Sequence, residues 1–335
     1  MSELPPYPRE PMPPGPEGQP HPEPYTGPWV APQQPWGPPP GGPPWGPPPG
    51  GLPWGLPPGG PPDPLISPDF GGWWQRGFSI AKRAWRQILV LQAIVGVLTF
   101  TVETLAAAWQ SFATRDMDRA VATGRDPDFA VFFAGTGLVL VAAVVTMIVT
   151  MVATLAAVRI VIEAACGLQP DLRAALSGSI GRLLPLFGWG ILSGILILAG
   201  ICACLVPGFY FLAVTLVLAP VVALERGNAI GRCFKLFHGN FGASLARTAT
   251  ILGIVLGAGL VGGSIGAIAS LAAPAETAST GALIAAAAVS SAVGVVISGG
   301  LRIFLDPLTV AAYADMRARV EPLSTAVLAH EAGIR

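Results

Sequence analysis

LLPLFGWGILSGILILAGICACLVPGFYFLAVTLVLAPVVAL, residues 183–224, runs for 42 positions without an aspartate, glutamate, lysine or arginine. Such a run offers water no charged face, so it belongs in a hydrocarbon-like medium. A helix needs ~20 mostly apolar residues to cross the bilayer core. Drawn as one helix, the run would be roughly 63 Å long at ~1.5 Å per residue, about twice the thickness of that core. It therefore holds two crossings. Pro207-Gly208, near its middle, marks the expected turn, because proline breaks the helical ladder and glycine accepts turn geometry. The reading is a tight hairpin of two spans, 184–205 and 209–224.

The same test picks out four more segments. Phe129–Val158, Thr248–Ala275 and Thr277–Leu301 are uncharged over 30, 28 and 25 residues, and Gln87–Thr114 carries only Glu103. With 11% charged residues overall, the chain lacks the polar surface of a soluble domain, where about 25% is usual. Lipid offers no partner to unpaired backbone groups, so the spans are expected to be helices. Six are predicted: 88–109, 131–157, 184–205, 209–224, 248–272 and 281–303.

An even number of spans puts both ends of the chain on one side. Fourteen lysines and arginines flank the spans on one face, from Arg76 and Lys82 to Arg317 and Arg319; the other face has three, Arg115, Arg119 and Arg125. Cytoplasmic loops retain basic residues, so both termini are expected inside, in a multi-pass protein of the plasma membrane. No apolar stretch precedes the first span as a cleavable signal would, so that span is expected to act as an uncleaved anchor.

A basic segment with helical periodicity precedes three of the spans. Its apolar positions are Phe78, Ala81, Trp85 and Ile88 in the first, Leu172, Leu176, Ile180 and Leu183 in the second, and Ile230, Phe234, Phe237 and Phe241 in the third. The expectation is an all-α membrane protein of three hairpins, each preceded by an amphipathic helix lying on anionic lipid of the inner leaflet. In domain terms, residues 1–70 form a disordered Pro/Gly/Trp-rich cytoplasmic tail, 71–320 the membrane domain and 321–335 a short cytoplasmic tail.

The run PGFYFLAVTLVLAPVVALERGNAIGRCFKLFHGNF, residues 207–241, resembles a pattern of bacterial six-span proteins related to the membrane domain attached to some glycerophosphodiester phosphodiesterases. The matching features are Pro207-Gly208 at the start of a span, Ala219-Pro220 late in it, Glu225 at its end and a basic amphipathic helix over 227–242. The segment YADMRAR, Tyr313–Arg319, is similar to a tyrosine-aspartate-arginine ending in the same group, and a proline-rich N-terminal tail resembles its actinobacterial members. The resemblance covers about 74–320. It implies a membrane domain of largely unknown activity and not the phosphodiesterase reaction, since no soluble stretch here is long enough for a catalytic barrel.

Few residues invite a chemical role. Glu103 is the one charge within the apolar part of a span, where a carboxylate costs ~2.5–3.5 kcal/mol on insertion scales and often serves function. Its position in the outer half of the helix also lets it reach the interface or a bundle partner. Glu225, Arg226 and Asp306 lie at the inner ends of the fourth and sixth spans, as an inner-face charge cluster or as membrane-edge anchors. Gly253, Gly257, Gly259, Gly263 and Gly266 crowd the fifth span. Such residues ordinarily allow close helix packing, within a bundle or between protomers; the other use is a glycine-lined substrate path.

Four cysteines and three histidines match no metal, disulfide or catalytic spacing, and no G-x-S-x-G, H-E-x-x-H or P-loop occurs. No enzyme, cofactor or nucleic-acid partner is expected. In the tail, Trp36, Trp45 and Trp54 recur every nine residues, three turns of polyproline II, which would align them for a proline-binding partner protein. Paired glycines between them favour a disordered, low-complexity tail. The functional expectation is a membrane-organising or interaction protein touching inner-leaflet lipid, with a transporter of a lipid or small molecule as the alternative.

Overall fold

The computed structural model describes residues 62–126, 128–272 and 279–334. Trp36, Trp45 and Trp54 lie outside them. The described residues are mostly helical, with no strand among them, and six helices are long and apolar enough to cross a membrane. This is an integral membrane protein of the all-α class.

Chain order gives α1 (Phe70–Ala122), α2 (Phe129–Ala165), α3 (Leu172–Ala203), α4 (Leu205–Thr215), α5 (Leu218–Leu224), α6 (Ala229–Gly239), α7 (Phe241–Ala272), α8 (Thr280–Ala318) and α9 (Thr325–Glu331). The starts are chemically marked. Asp69, Asp128, Asp171, Asn228, Ser279 and Ser324 each accept a hydrogen bond from a backbone N–H of the first turn. Gly167, at φ 75°, turns the chain after α2 in a conformation that a side chain would strain.

The helices overrun the predicted spans at the charged end. The first two amphipathic segments are not separate helices; they continue unbroken into α1 and α3. No glycine pair breaks either junction, and Pro185 at the second is carried inside α3; extending an existing helix is easier than nucleating a new one. Only the third segment stands apart, as α6, between Gly227 at φ 110° and the non-helical Asn240.

Their buried faces match the predicted ones only in part: Ala81, Ile88, Ile230 and Phe237 are buried as expected. On α1 the face is Trp73, Gly77, Ile80, Ala84, Ile88 and Leu91, packed on α8, and Trp85 is exposed. On α3 Ala175 and Ser179 are buried, while Ile180 is 69% exposed. On α6 Ile230, Cys233, Leu236 and Phe237 turn inward against α4, α5, α7 and α8. Phe241 is left exposed. The apolar side of α6 is thus spent on the protein's own core and not on lipid; burial pushes the Cys233 thiol up to about 12.

The hairpin turn falls at Cys204, in extended backbone, three residues before Pro207. Pro207 and Gly208 sit in the first turns of α4, where a missing N–H costs no helical bond. Gly208 lies so close to Gly200 and Ile201 that an added Cβ would come within 2.4 Å of Ile201. The fourth span is itself broken. Pro220 has no N–H to give the carbonyl of Leu216, and α4 ends at Thr215 before α5 begins at Leu218.

The folded region is larger than 71–320. Asp63 accepts hydrogen bonds from Leu65 N (2.9 Å), Thr325 N (2.8 Å) and Thr325 Oγ1 (2.6 Å). Leu65, Ser67 and Leu328 are buried, so residues 63–69 and α9 close over the charged end where tails were expected. The two ends of the described chain therefore meet on one side.

Candidate functional site

Ion pairs organise the charged end. Arg247 of α7 and Asp315 of α8 form an ion pair with each side chain only 2% exposed. Ser67 N donates to Asp315 Oδ1 at 2.7 Å, and Arg247 donates to the carbonyls of Ala243 (2.9 Å) and Asp69 (3.3 Å). The Arg247 guanidinium lies over the Trp73 ring, whose Nε1 donates to Leu308 O at 3.1 Å. Arg319 donates to Pro68 O at 2.9 Å. The segment 67–69 is thereby pinned to α7 and α8.

A second network ties α5, α6, α8 and α9. Glu225 accepts from Arg232 Nε at 2.5 Å and from the Tyr313 hydroxyl at 2.7 Å. Arg317 donates to that hydroxyl at 3.0 Å and grips Glu331 with two bonds, 2.5 and 2.8 Å. Glu321 takes hydrogen bonds from Arg317 and, at 2.7 Å, from Arg232. Burial opposes the charge on Glu321, yet the Arg317 bond and the Arg232 charge hold its carboxyl below the ordinary glutamate range. These contacts are those of a structural cap, with every carboxylate in it answered.

Below the cap, within the spans, α2, α5, α7 and α8 line a half-open cavity of about 610 Å³. Its walls are apolar: Val158, Leu216, Ile251, Val255, Ile297 and Leu301 among others. One charged group interrupts them, beside the hydroxyls of Ser298 and Thr309. Arg302 Nη1 donates to Thr154 Oγ1 at 3.1 Å and to Asp306 Oδ1 at 3.4 Å. Asp306 is 8% exposed, and its second carboxyl oxygen has no hydrogen-bond partner among the described residues. The broken fourth span borders this space through Leu216, Ala219 and Pro220. An apolar chamber with a single charged pair suits a molecule that is mostly hydrocarbon with one polar end.

The glycines are placed differently from the packing expectation. A Cβ added at Gly253, Gly257, Gly259 or Gly263 would meet no atom within 4 Å, and at Gly266 it would only touch Ser290 at 3.9 Å. Close approaches occur elsewhere, at Gly77 on Leu308, Gly96 on Val295 and Gly200 on Gly208. Gly259, Gly262, Gly263 and Gly294 instead line the cavity. Helix α7 packs chiefly on α8, and its small side chains leave that volume open.

The predicted charge cluster does not form as a unit. Glu225 joins Arg232, Tyr313 and Arg317, and Asp306 sits two helical turns away with Arg302. Arg226 is exposed and borders a groove on the surface of α3 and α5. Glu103 is partly buried in α1, without a hydrogen bond or ion pair among the described residues, and does not line the cavity. Sequence reasoning missed Thr154, Arg302, Arg247 and Asp315. A signal existed for the last: in YADMRAR, Tyr313–Arg317 and Asp315–Arg319 are i,i+4 pairs on a helix.

Comparison of the chain with protein-family models, with curated proteins and with solved structures returns no match. The site's own geometry therefore carries the functional reading.

Proposed function

We propose that this membrane protein binds an amphipathic lipid within its spans and serves as a membrane-organising, lipid-contacting protein. The cavity of about 610 Å³ among α2, α5, α7 and α8 carries the reading, because its mainly apolar walls and its one charged group, Arg302–Asp306 with Thr154, match an acyl chain with one polar end. The charged end faces the cytoplasm of a plasma-membrane protein, following the fourteen-to-three distribution of basic flanks.

Filling the cavity tests it. Gly259→Leu and Gly263→Leu add side chains where a Cβ meets no atom within 4 Å, so the fold should tolerate them. Native mass spectrometry of the purified chain should show fewer co-purifying lipids on the double variant than on the wild type, at unchanged thermal stability. Equal lipid on both would remove the reading.

The break in the fourth span favours a second reading. Discontinuous helices beside a mid-membrane chamber are a feature of transporters. A transporter of the same amphiphile would accelerate the movement of fluorescent lipid between leaflets in proteoliposomes, and the cavity-filled variant would abolish that acceleration. A binding protein would retain lipid without moving it.

A further inference from the structure

A second recess lies at the charged end, and none of its lining residues belongs to the cavity described above. It is a groove of about 430 Å³ between the α3 surface, the end of α5 and the start of α6. Its depth is graded. Pro185, Trp189, Val221 and Val222 form an apolar floor toward the spans, and Arg182, Arg226 and Arg232 surround the outer part with Glu225. Arg232 is committed to Glu225 and Glu321. Arg182 donates only to the carbonyl of Glu225, at 3.3 Å, and Arg226 has no hydrogen bond or ion pair among the described residues. Two guanidinium charges thus face one recess with no carboxylate of their own.

The uncompensated pair sits seven residues before Trp189 on α3 and directly after α5, at the depth where a spanning helix leaves hydrocarbon. We propose that this groove is a binding site for the phosphate headgroup of an anionic phospholipid from the adjoining leaflet. Arg182 and Arg226 clamp the phosphate, which guanidinium groups recognise through paired N–H donors. Trp189, Pro185 and the two valines hold the glycerol and the first methylenes, tryptophan being suited to this interfacial depth. A free phosphate would use the arginines but gain nothing from the apolar floor, and this selects lipid over a soluble anion.

The full chain in detergent, mixed with equal amounts of phosphatidylglycerol and phosphatidylcholine and examined by native mass spectrometry, decides the matter. Wild type should retain phosphatidylglycerol preferentially. Arg182→Gln with Arg226→Gln should lower that retention by roughly twenty-five-fold, a factor of about five for each basic residue. Arg173→Gln, at the exposed start of α3, should leave it unchanged. Should the double variant fail to fold, Arg226→Gln alone, at an exposed and unpaired residue, should lower retention about five-fold.

Equal retention of the two lipids by wild type overturns the proposal, as does an unaltered preference in the arginine variants. Inorganic phosphate that binds through the same arginines and displaces the lipid overturns the lipid assignment and makes the groove an anion site. The cavity-filled Gly259→Leu/Gly263→Leu protein should keep its phosphatidylglycerol preference, so this site and the intramembrane cavity stand or fall separately.

Discussion

The charged end and the middle of the spans solve opposite packing problems with the same helices. At the charged end α1, α6, α7, α8, α9 and residues 63–69 bury Trp73, Phe237, Tyr313 and Leu65 completely and pair Arg247 with Asp315 away from water. Halfway along the same α7 and α8, glycines face open space. The apolar windows of these two helices are only 6% buried. Water explains the first region: apolar surface outside the bilayer must be covered, and the hydrophobic effect drives the cover shut. Inside lipid that drive vanishes, because a lipid tail solvates leucine as well as another helix does, so gaps next to α7 carry little penalty. Close packing therefore lies in the cap, and the larger open volume lies in the spans.

The contrast breaks most severely at Asp315. Asp315→Asn leaves the Arg247 charge buried without its counter-charge, a change that costs about 3–5 kcal/mol in comparable sites. The expected result is a large fall in the thermal unfolding temperature in detergent; a wild-type melting curve would show that the cap does not hold the fold together.

Two alanine substitutions sharpen the comparison within the spans. At Gly200 a Cβ would lie 2.8 Å from Gly208 N and 2.9 Å from Gly208 Cα, so Gly200→Ala must separate α3 from α4 and should cost about 1–3 kcal/mol. Gly257→Ala meets nothing within 4 Å and should be neutral within about 0.5 kcal/mol. Equal destabilisation by both, read by the same thermal assay, would restore α7 as a packing helix.

The smallest effect concerns acid. Because the folded-state carboxyl of Glu321 is held below its ordinary range, its stabilising contribution is present above the unfolded value and is lost as pH falls through the folded one. Glu321→Gln should flatten the loss of stability on acidification below the ordinary glutamate range, within the ~0–1 kcal/mol typical of half-exposed pairs. Parallel stability–pH curves for the two proteins would remove Glu321 from the cap's acid response.

Much of this protein was legible in its sequence for a simple reason. Hydrocarbon accepts only long uncharged helices, so six spans follow from where the charges stop, and the 42-residue run from Leu183 had to fold back on itself. The caps Asp69, Asp171 and Asn228 are local signals that the sequence reading did not use. Periodicity found the amphipathic segments, but it could not say what would cover their apolar sides. Phe237 went to the core and Ile180 to the outside because neighbouring helices arrive at one and not at the other. The pairing of Arg247 with Asp315, 68 positions apart, and of Asp63 with Thr325, at opposite ends of the described chain, leaves no local trace. The glycines of α7 read first as packing residues, with a lined path as the other meaning. Whether a small side chain makes contact or makes space is a property of the distance to the next helix, and that distance exists only in the folded molecule.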